Sequence, residues 1–242
     1  MHYTRSLQAY SSQLVYEIEL GNATALLAAS GILAKLSFIN TPLMSTAAAG
    51  GDPGPAWIRS MQGMKTIMQT PNLRDDLECG VLSSLVRYYN SSEDSEVLNE
   101  PHASDTAMPA LHALCAAGYH HLAPNPYATV LARLGRLMLV EPTHETTDQY
   151  LAFIAKLEPS FIELLRQLDA RAMLILAYWC ARLSLIQQWW TAPSAHAEGR
   201  RICAFLATNP DPLIQTLLKF PAVVCGFVQD FDVQLPTPPV DG

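Results

Sequence analysis

Several groups of residues in this chain have types and spacings that could do chemistry. The first is His-Glu-Thr-Thr-Asp at 144–148, which carries the opening two residues of a zinc-protease helix. Such a helix needs a second imidazole one turn on, so that both ligands face one ion and the glutamate serves as general base. Asp148 stands in that place. The simpler reading is a helix start, with Thr143 as cap and Glu145 and Asp148 answering the positive end of the helix dipole. His112 and Cys115 are three apart on a helical pattern, with His120 and His121 following. No second ligand pair has matching spacing, so these read as core or loop residues and no metal is expected.

The third group lies in RAMLILAYWCARLSLIQQWW, residues 171–190. Arg171, Tyr178 and Arg182 are seven and four apart and share a helix face, while Met173, Ala177, Cys180 and Ser184 point the other way. An arginine on so apolar a helix must reach solvent, a carboxylate or a polar ligand group. Trp189 and Trp190 bring two large apolar surfaces, each with an N–H donor, which suits a pocket mouth or an interface. A fourth group, Trp57, Met61, Met64 and Met68, repeats at four, three and four. That is one helical face; it reads as core, and methionine also suits an irregular apolar ligand.

Other chemistries lack their signatures. There is no nucleophile elbow, phosphate loop or dinucleotide fingerprint, and Gly21, Gly31, Gly63 and Gly135 stand singly in helical patterns. No close pair of carboxylates sits in an apolar setting that would raise one pKa for acid–base work. No cofactor is expected.

The elements that must position these residues are helices. Apolar residues recur at helical spacing along almost the whole chain. The pattern predicts helices over 3–20, closed by Gly21, and over 22–39, 57–68, 73–89 and 105–119. Asn125-Pro126 is a cap-and-proline start for a helix to Val140, and Thr143 begins one to Leu157. Pro159 begins one to Leu168, Asp169 caps the segment quoted above, and Asp211-Pro212 starts a last helix to Phe220. The expectation is an all-α fold: a single compact domain over 1–242 of about ten helices around a central apolar helix, with a hydrophobic ligand pocket. Glycines and prolines make 41–56 a loop, 91–104 is an acidic loop, and 230–242 is a proline-rich tail.

Composition bounds the function. Of 242 residues, 50% are hydrophobic and 15% charged, with a formal net charge of -7, which disfavours direct nucleic-acid binding by this chain. The run Ala172–Ala181 is about half of the roughly 20 residues that a membrane helix needs, so no membrane span is expected. The N-terminus lacks the pattern of a signal peptide, which makes the cytoplasm the expected location. Five dispersed cysteines in apolar settings read as buried reduced thiols.

The order of motifs resembles a known family. ARAMLILAYWCARL followed by QQWW, then EGRRICAFLA, then DPLIQTLLKFP, is similar to the C-terminal region of fungal zinc-cluster transcription factors of the sterol-uptake regulator type. The likeness maps onto Ala172 to Trp190, Arg201 to Ala207 and Leu218 to Pro221, with Phe220 where the family usually has tryptophan. Upstream, YSSQLVYEIELGNATALLAASGILAKLSF and WIRSMQGMKTI resemble the family's earlier helices. The zinc-cluster DNA-binding region has no counterpart in this chain. The resemblance implies a helical ligand-binding domain with a pocket for a sterol-like molecule.

Two functions follow as expectations. One is a stand-alone secondary-metabolism protein that binds a bulky sterol- or terpenoid-like molecule and catalyses a cofactor-free cyclisation or pericyclic reaction, of the Diels-Alderase kind. Holding a flexible substrate in a reactive conformer needs little acid–base equipment. Tyr178, Arg182, Trp189 and His112 are the candidates for a catalytic hydrogen bond. The ligand-binding candidates are Trp57, Met61, Met64, Met68, Tyr178, Trp179, Arg182, Trp189, Trp190 and Phe227. The alternative is a non-catalytic sterol- or lipid-sensing domain of a zinc-cluster regulator, which would place the chain in the nucleus. The expected partner is a lipophilic small molecule, with a homodimer as the assembly to test.

Overall fold

The computed structural model describes residues 2–40, 56–71, 107–118 and 125–227, with the isolated positions 73, 77, 79, 83 and 86; the side chains of 2, 3, 40, 56, 59 and 61 lie outside the description. Among the described residues, regular structure is entirely helical, with ten helices and no strand. They are α1 His2–Glu19, α2 Ala23–Asn40, α3 Ala56–Gln69, α4 Ala107–Ala116, α5 Ala128–Leu139, α6 Thr147–Ala155, α7 Pro159–Arg166, α8 Ala170–Ser184, α9 Ala192–Leu206 and α10 Pro212–Val224. Positions 73, 77, 79, 83 and 86 are helical too, in the segment where the pattern predicts a helix. The predicted loops 41–56 and 91–104 and the tail 230–242 fall outside the described residues, apart from the first residue of α3.

Local chemistry sets several boundaries. After α1 the chain turns at Gly21, whose φ of 71° is the left-handed conformation that glycine adopts without a Cβ penalty. There Gly21 N–H donates to Ile18 O at 3.1 Å and Asn22 N–H to Glu17 O at 3.0 Å, closing the last turn. Asp169 caps α8 as the sequence predicts, its carboxylate accepting from Arg171 N at 3.1 Å and Ala172 N at 2.9 Å. Asp211 does the same for α10, accepting from Leu213 N at 2.8 Å.

Two predicted starts are corrected. Asn125 does not cap a helix; its Oδ1 accepts from Tyr127 N at 2.9 Å in a turn, and α5 begins only at Ala128. Likewise Thr143 lies before a turn and does not cap α6. Its N–H donates to Thr146 Oγ1 at 2.9 Å, and the helix begins at Thr147. In both places a short polar side chain bonds to nearby backbone and builds a turn first. The last helix overruns its predicted end, continuing through Pro221 to Val224.

α8 is central. Every residue from Ala172 to Ala181 is buried, as all-round apolarity requires. It packs chiefly against α9 and α10, and also touches α5, α6 and α7. α2 and α3 form a closely packed pair, α1 lies on α2, and α3 reaches across to α6. A hydrogen bond from Gln62 Nε2 to Leu157 O at 3.2 Å ties α3 to the end of α6. Arg133 on α5 donates to Lys156 O at that same end. No helix among the described residues is long and apolar enough to cross a membrane.

Candidate functional site

Four helices bring four aromatic rings together. Phe38 comes from the end of α2, Trp57 from the start of α3, Phe153 from α6 and Trp179 from α8. Trp57 and Trp179 lie nearly parallel, with centroids 5.7 Å apart and planes 11° apart. Phe38 meets both edge-on, at 5.0 Å from Trp57 and 5.9 Å from Trp179. Phe153 lies 6.4 Å from Trp179 at 19°. All four rings are buried, and Trp57 and Trp179 have no exposed surface. Stacked and edge-on pairs at these separations are favourable beyond the area they bury, by about 0.5–1.5 kcal/mol each.

Polar satisfaction divides the two indoles. Trp179 Nε1 donates to Tyr150 O at 2.7 Å. Trp57 Nε1 is buried and has no hydrogen-bond partner, and neither has Ser37 Oγ, one residue before Phe38 on α2. A buried donor without a partner is destabilising by about 1–3 kcal/mol, so it calls for an explanation.

Two further members of the α3 stripe are core. Met64 and Met68 are buried, and Met64 Sδ would lie 3.4 Å from a Cβ placed on Gly31, so α2 and α3 approach closely there. The side chain of Met61 lies outside the described residues.

Beside Trp179 is a polar junction. Arg182, one turn further along α8, donates from Nη2 to Val140 O at 2.6 Å, where α5 has just ended. Tyr150 Oη donates to the same carbonyl at 2.7 Å. The guanidinium thus answers the negative end of the α5 dipole. Burial raises the Tyr150 pKa, with the charge of Arg182 opposing. Arg182 Nε is buried and has no hydrogen-bond partner.

Other predicted residues are placed apart from this cluster. Tyr178 is buried against α10, its hydroxyl donating to Leu217 O at 2.9 Å and its ring 5.3 Å from Phe220. Tyr178 and Arg182 are therefore not brought onto one target. Arg171 leaves α8 at its other end and donates to Ala117 O at 2.7 Å. The adjacent indoles also separate: Trp189 is 85% exposed, while Trp190 is half-buried with Lys35 Nζ 5.0 Å from its ring centroid. Phe227 packs on the core beyond α10, its N–H donating to Ala222 O at 2.8 Å.

The described histidines do not assemble a metal site. His112 is exposed on α4, and partial desolvation lowers its pKa. His144 is exposed, with Nδ1 3.0 Å from Gln188 Nε2, and His120 and His121 lie outside the described residues. Among the described residues, no group of three or more His, Cys, Asp or Glu is placed to hold a metal ion. Four cysteines are buried and unoxidised as expected, whereas Cys79 is exposed, which corrects its reading as a core thiol.

Compared with protein-family models, curated proteins and solved structures, the chain matches no family model, no curated protein and no solved structure. The likeness to zinc-cluster regulators therefore rests on the quoted motifs alone.

Phe38, Phe153, Tyr150 and Ser37 join the candidate site although the sequence did not single them out. Only Tyr150 and Phe153 carry a local signal, a three-residue spacing that sets both on one side of α6. Nothing local ties them to Trp179, and nothing in the chain's spacing joins Phe38 to Trp57.

Proposed function

We propose that this protein binds a bulky lipophilic molecule, sterol- or terpenoid-like, where α2, α3, α6 and α8 meet. Binding would hold the molecule in a conformer ready for a cofactor-free cyclisation or pericyclic step. One observation carries the reading: the Trp57 N–H is fully buried among aromatic rings and lacks an acceptor. A ligand carbonyl or hydroxyl entering between α2 and α3 would satisfy it, while its carbon skeleton replaced ring-on-ring contact with ligand-on-ring contact. An apolar site with few polar groups is the usual form of a small-molecule pocket. The sequence likeness supplies the sterol-like class.

Chemically, a single donor in a water-poor setting suits such a step. A hydrogen bond to a carbonyl draws electron density from an adjacent double bond, and the low dielectric strengthens that bond. Conformational restriction supplies the rest of the barrier lowering.

The test is to titrate purified protein with linear and cyclic terpenoid polyenes and with sterols, following tryptophan fluorescence, and to chromatograph each mixture. A cyclisation conserves mass, so products are sought as new retention times at unchanged mass. The expected result is saturable quenching, with Trp57→Phe weakening carbonyl-bearing probes by about fivefold to tenfold, the worth of one hydrogen bond. Binding without conversion across the series removes the catalytic half of the proposal, and absence of binding removes both halves.

A further inference from the structure

We infer that the ligand carries an ionised oxygen acid, a carboxylate or an acidic enol, and that Arg182 is its anchor. The inference rests on the lipophile-binding reading and adds the head-group chemistry to it. Arg182 holds a permanent positive charge in a half-buried position, and no carboxylate lies within ion-pair distance of it among the described residues. Its Nε is buried and without a hydrogen-bond partner. A half-buried guanidinium that donates to one backbone carbonyl and keeps a buried N–H without an acceptor has donor capacity left for an anion.

Of the other described arginines, two pair with carboxylates and two, like Arg182, donate to backbone carbonyls; Arg166 Nε is also buried without a hydrogen-bond partner. Arg166 and Arg201 pair with Glu163 and Glu198, while Arg171 and Arg133 end on the carbonyls of Ala117 and Lys156. Among the described arginines, Arg182 is the one three residues from Trp179 of the aromatic cluster. Both stand on α8, so the two side chains are neighbours about 5–6 Å apart at their Cβ atoms. Tyr150 links them, accepting from Trp179 Nε1 through its carbonyl and sharing Val140 O with Arg182 through its hydroxyl.

The guanidinium can take an acid without giving up its present bond. One oxygen of the acid accepts from Nε–H while Nη2 stays on Val140 O, and the new bond is charge-assisted. The hydrocarbon body then lies against Trp179, whose ring is next along the helix, and extends toward Trp57. A lipophilic acid therefore fits the strip from head to body, whereas a neutral ester leaves the cation as it is.

Paired probes that differ only in the acid test this: lithocholic acid against methyl lithocholate, and retinoic acid against methyl retinoate, read by tryptophan quenching. Wild-type protein should bind each acid at least tenfold more tightly than its ester. Arg182→Gln should abolish that preference while ester binding persists, and Arg182→Lys, which keeps the charge without the fork, should reduce it. Equal binding of acid and ester by the wild type overturns the inference and leaves lipophile binding standing, as does a preference that survives in Arg182→Gln. Failure of all four probes overturns both. Each variant is first checked for cooperative thermal unfolding; if Arg182→Gln does not fold, the wild-type comparison and Arg182→Lys decide the matter.

Discussion

Trp57 and Trp179 lie with their ring planes 11° apart and their centroids 5.7 Å apart, yet only Trp179 has an acceptor for its N–H. Two buried indoles in contact thus differ in one hydrogen bond, which makes them an internal control for each other. Replacing Trp57 by Phe removes an orphaned donor along with part of the ring. Replacing Trp179 by Phe removes a similar ring area and a satisfied bond. Trp179→Phe should therefore be more destabilising than Trp57→Phe, by about 1–2 kcal/mol. Urea unfolding of the ligand-free variants measures the difference. Equal losses would mean that the Trp57 N–H has found an acceptor.

The junction at Val140 O gives a second prediction. Tyr150 and Arg182 both donate to that carbonyl, so removing either leaves it satisfied by the other. Tyr150→Phe and Arg182→Gln should each be mild, near 1 kcal/mol or less, and the double variant should lose roughly 1 kcal/mol more than their sum. A double-mutant cycle in urea reads this directly. Strict additivity would show that the two donors do not share one acceptor.

The helices and their central member were legible because apolar periodicity and the Asp169 and Asp211 caps are local signals. The site was legible only in part. Trp57 and Trp179 were visible as large residues on apolar faces, but their contact is made across more than a hundred residues, and no spacing announces it. Trp189 and Trp190 show the opposite failure: adjacency in sequence suggested joint action, but both lie in the turn between α8 and α9, where Trp189 faces water and Trp190 packs on the core. Tyr178 and Arg182 share a helical face by spacing, yet that face is wide enough to meet α10 with one residue and the end of α5 with the other.

Gly199 is a third place where a single atom decides packing. A Cβ there would lie 2.3 Å from Cys225 Sγ and 3.3 Å from Cys180 Cβ, at the point where α8, α9 and α10 meet. Neither neighbour is the free end of a long side chain, so the helices themselves would have to part. Gly199→Ala should be destabilising by about 1–3 kcal/mol, despite the better helix propensity of alanine. Adding Cys225→Ala removes the nearest atom and should recover part of the loss. If Gly199→Ala alone is neutral or stabilising in thermal unfolding, the close approach is wrong.

The same junction gathers thiols that are far apart in sequence, and it makes a prediction about pH. Burial raises Cys203 to about 12 and Cys225 to about 11, from an ordinary value of 9.0, and raises Cys180 well above it. In the unfolded chain each thiol loses its proton near the ordinary value, while in the folded protein it keeps that proton longer. The unfolded state therefore binds fewer protons above about pH 9, and stability falls as pH rises. The contribution is complete below the unfolded pKa and is lost between about 9 and 12, at no more than about 1.4 kcal/mol per pH unit for each thiol. Tyrosines titrate in the same range, so the wild type is compared with Cys203→Ala, which should show a shallower decline in urea midpoint from pH 8 to pH 10.5. A thiol-reactive dye at pH 8 supplies the companion reading: in the native protein Cys79 should react quickly, and Cys115, Cys180, Cys203 and Cys225 only after denaturant is added. Rapid labelling of Cys203 or Cys225 in the native state, or parallel pH profiles for wild type and Cys203→Ala, would show that the thiols at this junction are not sealed from solvent.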